Sequence, residues 1–487
     1  MISTKQNLIR ILQTTLVMTA LLLAAVNTRA VVFTNLYDFN ISYNGDEGPF
    51  PNSGLLLSGN TLYGTTPQGG SYGYGTVFAV NIDGTGFTNL YSFDETNGDY
   101  PFGTLVMSGN TLYGTTSGFG GGGGTVFSIN TDGTGFTNLY IFYSVDGQTP
   151  NGLEPIAGLT LSGNTLYGTS SGVGPFAGSF GAVFSINTDG TGFTNLYSFS
   201  EPIGDGGLDT IGTNSDGAQP IGVLTLSGNT LYGTTAFGGT NGYGTVFAVN
   251  TDGTGFTNLH NFAQFYYNSS LGSLTNSDGD NPVAGLILSG NTLYGTAQVR
   301  GFYGSGTVFA VNTDGTDFTN LYNFTAGIYG LPYGTGTNSD GGWPMGVLTL
   351  SGNTLYGTAQ LGGIYAGGTV FAVNTDGTCF TNLYSFPTSS SFGTGPSAGL
   401  VLSGNTLYGT TTQGGSSGGG FVYALSLGPI PLNIQLSGNN VILTWGNPAF
   451  SLQSATNANG VYTTVPGATS PYTNTISGTQ QFYRLIN

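Results

Sequence analysis

Residues 103–142 read GTLVMSGNTLYGTTSGFGGGGGTVFSINTDGTGFTNLYIF, and this stretch decides the fold. Its octet SGNTLYGT returns seven times, with the tyrosine at Tyr63, Tyr113, Tyr167, Tyr232, Tyr294, Tyr356 and Tyr408. The spacings are 50, 54, 65, 62, 62 and 52 residues. Self-similarity at a period of this order signals a repeat architecture. Each copy holds four short runs rich in β-branched and aromatic residues, bounded by Gly, Asn or Asp. In the first copy these are strand A at Leu55–Leu57, B at Thr61–Thr65, C at Thr76–Val80 and D at Phe87–Phe93. Ser-Gly-Asn joins A to B. Asn-x-Asp-Gly-Thr joins C to D, and Asp-Gly tolerates the positive φ of a hairpin turn. Repeated four-stranded meanders of this size are the blades of a propeller.

The ends of the array fix its frame. A first D-type run, Phe33–Phe39, has no C strand before it, and the last C run, Phe421–Leu425, has no D strand after it. Two orphans complete one blade if the array closes on itself, whereas an open solenoid leaves two bare edges. The short C–D link argues that C and D share a sheet, because short links join neighbours. The expected fold is all-β: a seven-bladed β-propeller of four-stranded blades, with the N-terminal strand closing the last blade.

Residues 1–30 read as a secretory signal: Lys5 and Arg10, an apolar stretch from Leu16 to Val26, and the small-residue site Thr28-Arg29-Ala30. The apolar stretch is too short for a membrane span. Residues 31–427 form the array, 428–431 a stiff Gly-Pro-Ile-Pro linker, and 432–487 a module of six short runs that reads as a small β-sandwich around Trp445. A secreted protein, extracellular or at the surface of a bacterium, is expected, and a monomeric one.

Charge and rare residues exclude several functions. Without the signal the chain keeps two basic residues, Arg300 and Arg484, against 22 acidic ones, a net charge of −20. Nucleic acid needs arrays of Lys and Arg and is excluded as a partner. The single cysteine, Cys379, allows no internal disulfide. The single histidine, His260, stands where other D strands carry Tyr and reads as a substituted strand residue. One His supplies neither a triad nor a multi-His metal site. The glycine run Gly120–Gly124 has no following Lys or helix and is no phosphate loop.

The two faces of the disc differ. A–B and C–D turns repeat almost unchanged on one face. B–C loops and D–A connections, the latter 9 to 22 residues long, occupy the other. Six aspartates (Asp83, Asp132, Asp189, Asp252, Asp314, Asp376) sit in C–D turns and Asp317 just beyond one, while the other fifteen acids fall in D–A connections. Aromatics gather there too, and function on repeat scaffolds resides in such loops. The candidate ligand-binding residues are Trp343, Tyr266, Tyr267, Tyr333, Tyr100 and Tyr303, for a glycan or a protein partner. Calcium is the one candidate cofactor: Asn276–Asn281 is rich in hard oxygens, echoed at Asn214–Asp216 and Asn338–Asp340, so Asp278, Asp280, Asp216 and Asp340 are the candidate ligands. Turn formation competes with that reading. Paired acids leave a carboxylate-dependent hydrolase or lyase as an alternative, at Asp46 with Glu47, Asp94 with Glu95, or Glu201, Asp205 and Asp209. A structural cell-envelope protein is a third.

The unit SGNTLYGTT…GG…GTVFAVNTDGT.FTNLYSF, running from Phe33 to about Leu425, resembles the GloVer tandem repeat of secreted bacterial proteins. The last copy departs from it, with FVYALS in place of TVFAVN and no trailing D strand. The resemblance implies an extracellular or surface protein and transfers no catalytic residues. The tail, with LTW, LQSATN and a terminal FYRL, is similar to a C-terminal module of other secreted proteins.

Overall fold

The computed structural model describes residues 31–41, 47–118, 123–143, 153–172, 180–204, 212–270, 273–325, 336–388, 395–428, 433–437, 440–444, 451–456, 461–475 and 481–486. The signal segment, Asp46, Gly120–Gly122, Asp205, Asp209, Tyr333, Trp445 and the linker after Gly428 lie outside the described residues.

Seven four-stranded antiparallel sheets make up the array in a propeller-like, all-β arrangement. In the first, strands A to D are Leu56–Ser58, Thr61–Thr66, Thr76–Asn81 and Thr88–Ser92. The B and C strands are buried along nearly their whole length, because each sheet is covered on both faces by its neighbours. The glycine of LYGT reflects the same packing. Gly64 faces Phe78 across the B–C pair, and a Cβ on it would lie 2.5 Å from that ring. A D-strand bulge recurs: Val77 pairs with Tyr91 but Phe78 with Asn89, so Leu90 is extra.

Neighbouring sheets are joined by aromatic stacks. The D-strand Tyr of one sheet lies flat on the Phe after the C–D turn of the next, as in Tyr91 on Phe136 at 3.9 Å and Tyr322 on Phe380 at 3.6 Å. The series runs through the ends of the chain. The N-terminal strand Val32–Asn40 pairs antiparallel with Gly418–Ser426, with a bulge at the matching place. Tyr384 of the sixth sheet stacks on Phe33 at 4.5 Å, and Tyr37 stacks on Phe87 of the first sheet at 3.8 Å. Phe39, Val422 and Tyr408 share one core with Leu55, Leu62 and Phe78.

The C–D turns are built by their aspartates. Asp132 Oδ1 accepts from the Thr134 amide at 3.0 Å and hydroxyl at 2.7 Å, and the other five copies repeat this. The Thr134 hydroxyl and amide hold the Asp132 carboxyl below its usual range.

One core position breaks the pattern. Six copies place Phe opposite the strand-B glycine; the seventh has Tyr423, fully buried, whose hydroxyl finds no hydrogen-bond partner among the described residues. Burial pushes its pKa far up. Tyr423→Phe removes that orphan and restores the shape of the other six sites. It is expected to raise stability by about 1–3 kcal/mol, read as a rise in the thermal midpoint; a fall would show that the hydroxyl contributes to packing.

The long D–A connection after the fourth D strand contains an element the sequence pattern did not suggest, a hairpin pairing Tyr266–Asn268 with Ser273–Thr275. C-terminal to the array, six strands form two three-stranded sheets, with Leu443 and Leu452 buried among them. Among the described residues no helix is long and apolar enough to cross a membrane.

Candidate functional site

The D–A aspartates of the Asn-Ser-Asp-Gly segments are clasped to the D strand that precedes them. Asp216 accepts from the Tyr197 hydroxyl at 2.9 Å and from the amide of Ser200 at 2.9 Å. Asp340 repeats this with Tyr322 at 2.8 Å and Thr325 at 2.9 Å. In the connection between them the partner is His260, whose Nε2 lies 2.8 Å from Asp278, while the amide of Ala263 donates to the same carboxylate. His260 also stacks on Phe318 at 3.6 Å, so the imidazole takes over both the stacking and the polar contact of the tyrosine it replaces. Burial, and then the bond to the carboxylate, pushes the Tyr197 and Tyr322 hydroxyls up.

The asparagine of each segment completes the clasp. Asn338 Nδ2 donates to the carbonyls of Thr325 and Gly341, and its Oδ1 accepts from the amides of Gly341 and Gly363. The three aspartates therefore lie in three different connections, each held by protein donors. Asp280 turns away from Asp278, two residues earlier, to pair with Arg300 of the next B–C loop. The Arg300 guanidinium sits 3.9 Å above the Phe265 ring. Among the described residues no group of three or more His, Cys, Asp or Glu is arranged to hold a metal ion. Asp94, from the paired-acid candidates, caps its own turn by accepting from the amides of Thr96 and Asn97.

Of the aromatic candidates, Tyr266 and Tyr267 are 58% and 66% exposed on their hairpin, and Tyr303 stands exposed on a B–C loop edge-on to Phe302 at 4.8 Å. Tyr100 and Trp343 are only partly exposed, and both occupy a special backbone position. Each has φ in the left-handed region and each precedes a proline. Phe50, Glu154, Gln219 and Asn281 share the conformation, with φ between 54° and 63° across the six, and Gly395 is the seventh. Left-handed φ in a bulky residue is a genuine outlier, and such strain concentrates at functional sites.

The backbone reason is a staple between sheets. The Trp343 amide donates to Ser305 O at 2.9 Å in the preceding B–C loop, and its carbonyl accepts from the Gln360 amide at 3.1 Å in the following one. Tyr100 does the same between Tyr74 and Ser117, Asn281 between Tyr243 and Gln298, and Gly395 between Gly367 and Thr412. We call these seven positions the collar. The sequence carried a sign of them that composition alone hides. In every copy a proline stands four residues before the A-strand leucine, as Pro101 before Leu105. The residue ahead of that proline varies freely.

The three residues after each proline line a single central cavity of about 340 Å³, to which all seven copies contribute. Among the described residues no charged side chain lines it. At the first lining position five consecutive copies are apolar: Phe102, Ile156, Ile221, Val283 and Met345. The remaining two are Ser397 and Asn52, adjacent across the junction of chain ends, where the Ser397 hydroxyl donates to Asn52 Oδ1. The middle position is held by strand B: Thr115 Oγ1 donates to Ala157 O at 2.7 Å and Thr410 Oγ1 to Ser53 O at 3.2 Å.

No curated protein matches the chain. Among solved structures it is similar to a putative 6-phosphogluconolactonase from Bacteroides uniformis, at 16% identity over 88% of this chain and 98% of that one, with a TM-score of 0.45. It is also similar to an oligogalacturonate lyase from Vibrio parahaemolyticus, at 9% identity over 82% of this chain and 97% of that one, with a TM-score of 0.45. The model of the Gloeobacter/Verrucomicrobia repeat matches residues 22–154 and 207–342, more than half of the sequence, and the chain belongs to that repeat family.

Proposed function

We propose that the chain is an exported, non-catalytic binding protein: a closed seven-bladed β-propeller with a small C-terminal β-sandwich, whose B–C and D–A loop face takes a glycan. Closure is supported by the pairing of Val32–Asn40 with the last C strand and by the unbroken series of aromatic stacks. Export is supported by the charged and apolar pattern of residues 5–30.

One observation carries the functional reading. Every exposed aromatic among the described residues lies in a B–C loop or a D–A connection: Tyr72, Tyr143, Tyr266, Tyr267, Phe302, Tyr303 and Tyr365. The opposite face repeats the same Asp-Gly-Thr turn six times. Rings held open to water on a rigid scaffold suit stacking against a sugar, whose hydroxyls the neighbouring polar groups can meet. The non-catalytic reading is supported by the aspartates themselves. Asp94, Asp216, Asp278, Asp280 and Asp340 are all engaged in bonds that shape their own loops.

Cys379 gives a direct test. It is exposed, in a C–D turn on the plain face. Protein immobilised through Cys379 presents the loop face to a glycan array and is expected to bind. Immobilisation through Tyr303→Cys in a Cys379→Gly background blocks that face and is expected to abolish binding. Equal binding in both orientations would refute the placement, and product release from polysaccharides would refute the non-catalytic reading.

A further inference from the structure

We propose that the collar and the central cavity are one site, which takes the terminal sugar of an uncharged oligosaccharide end-on. This rests on the glycan reading above and narrows it to a place and a ligand class.

The cavity sets the ligand's charge and size. With no ionic side chain among the described residues of its lining, a charged group would lose its hydration without compensation. Its volume of about 340 Å³ is at the small end of ligand sites, which suits one end of a chain rather than a flat stretch of it.

The lining is two-sided in the way a sugar ring is. Five apolar residues form a continuous crescent, and Asn52 with Ser397 forms a polar sector. The third lining position sharpens the asymmetry. Around the ring it reads Gly54, Thr104, Gly158, Val223, Gly285, Val347 and Gly399, an alternation of glycine with a branched residue. Sterics favour the alternation: a Cβ on Gly285 would lie 2.4 Å from Val223 Cγ1, and one on Gly54 2.6 Å from Thr104 Oγ1. Seven positions cannot alternate completely, so two glycines, Gly399 and Gly54, must adjoin. They do so beside Ser397 and Asn52. The roomiest sector of the lining is thus also the polar one, where ring hydroxyls find an amide and a hydroxyl.

The collar supplies the surrounding contacts. Three of its members are aromatic, Phe50, Tyr100 and Trp343, and Tyr100 leans on Phe102 of the cavity lining with ring centroids 6.4 Å apart. Two are amides. Asn281 donates to Gln298 Oε1 at 3.0 Å, and its own buried Oδ1 accepts no hydrogen bond among the described residues. Glu154 is the one acid of the collar, and burial raises its pKa.

Gly395 shows that the staple needs no side chain, since it makes the same two backbone bonds. Six copies nevertheless carry a side chain at a position where glycine is unstrained. Keeping strained, varied side chains around a neutral cavity is accounted for by recognition.

The test uses glycine variants, which relieve the backbone and so should not unfold the protein. Binding of neutral cello-, xylo-, manno- and malto-hexaoses is measured by calorimetry for the wild type, Trp343→Gly, Tyr100→Gly and the loop variant Tyr266→Ala. At least one hexaose is expected to bind. Trp343→Gly and Tyr100→Gly are expected to weaken it about tenfold or more, corresponding to one lost stacking contact. Their thermal midpoints should be unchanged or raised, and Tyr266→Ala, at an outer loop ring, should weaken binding less than either collar variant. The same hexaose modified by a bulky group at its non-reducing end, and separately at its reducing end, should fail to bind in one of the two forms. If affinity survives both collar variants and falls with Tyr266→Ala, or if both end-modified forms bind, the end-on site is wrong while the glycan-binding reading stands. If no hexaose binds, or a basic peptide binds instead, both are wrong.

Discussion

Arg300→Gly lowers the stability of the fold by about 3–5 kcal/mol, the cost of leaving one partner of a buried ion pair without the other. The two side chains are 7% and 1% exposed, so water cannot replace the lost guanidinium at Asp280. The Phe265 and Tyr243 rings, which Arg300 covers, lose a cation over their faces as well. Glycine is the informative replacement. Arg300 has φ of 63°, and the matching B–C positions Gly69, Gly238 and Gly362 are glycines at 71° to 77°. The substitution therefore relaxes the backbone, and any destabilisation belongs to the charge. The fourth and sixth sheets show what a neutral version looks like. There the bridge that Asp280 makes to Val299 is made by Ala218 to Phe237 and by Gly342 to Leu361. The double variant Asp280→Ala with Arg300→Gly copies the Ala218–Gly238 arrangement and should recover most of the loss. Denaturation midpoints of the four proteins in the cycle isolate the coupling. If the double variant is no more stable than Arg300→Gly alone, the ion pair is not what holds these loops together.

That pair illustrates where sequence reading stops. Arg300 and Asp280 are twenty residues apart, and nothing local marks them as partners. The strands, by contrast, are written locally: alternating apolar residues, Ser-Gly-Asn and Asp-Gly turns, and a glycine under each Phe repeat from copy to copy. The orphan run Phe33–Phe39 is legible because six other copies pair a D strand of this pattern with a C strand. His260 is legible as a replacement for Tyr, and its contacts with Phe318 and Asp278 have the tyrosine's geometry. The Asn-Ser-Asp-Gly segments are ambiguous, because hard oxygens within one turn serve a cation and a hydrogen-bonded clasp equally well. The clasp depends on Tyr197 or Tyr322 approaching from the D strand, which the segment itself does not mark. The collar is hidden for a different reason. A residue before proline is ordinarily read as extended, and here it is left-handed in all seven copies, held by staples from both sides in six and by the Phe50 amide bond to Gly419 O in the seventh.

Removing residues 31–41 while keeping an export signal should have the largest effect of all, a loss of more than about 5 kcal/mol, because several core contacts go together. Phe39 is fully buried in the core shared by the last and first sheets. Phe33 stacks on Tyr384 and packs edge-on against Phe386 and Phe421. Tyr37 carries the stack onward to Phe87. Losing them strips both junctions of the seventh sheet and leaves the strand Gly418–Ser426 as a bare edge, a template for pairing with other chains. The shortened protein should lose its cooperative thermal transition and run as oligomers on size exclusion. A synthetic peptide of residues 31–41, supplied in trans, should restore the monomer, because the missing strand carries its own register in the bulges after Asn35 and Asp38. A peptide with Phe33 and Phe39 both changed to alanine should not. If the truncated chain stays monomeric with an unchanged midpoint, the first strand is an ornament on an open array and the closed ring is wrong. Rescue by the native peptide alone would mean that seven copies of one unit are held in a ring by a single short strand from the opposite end of the chain.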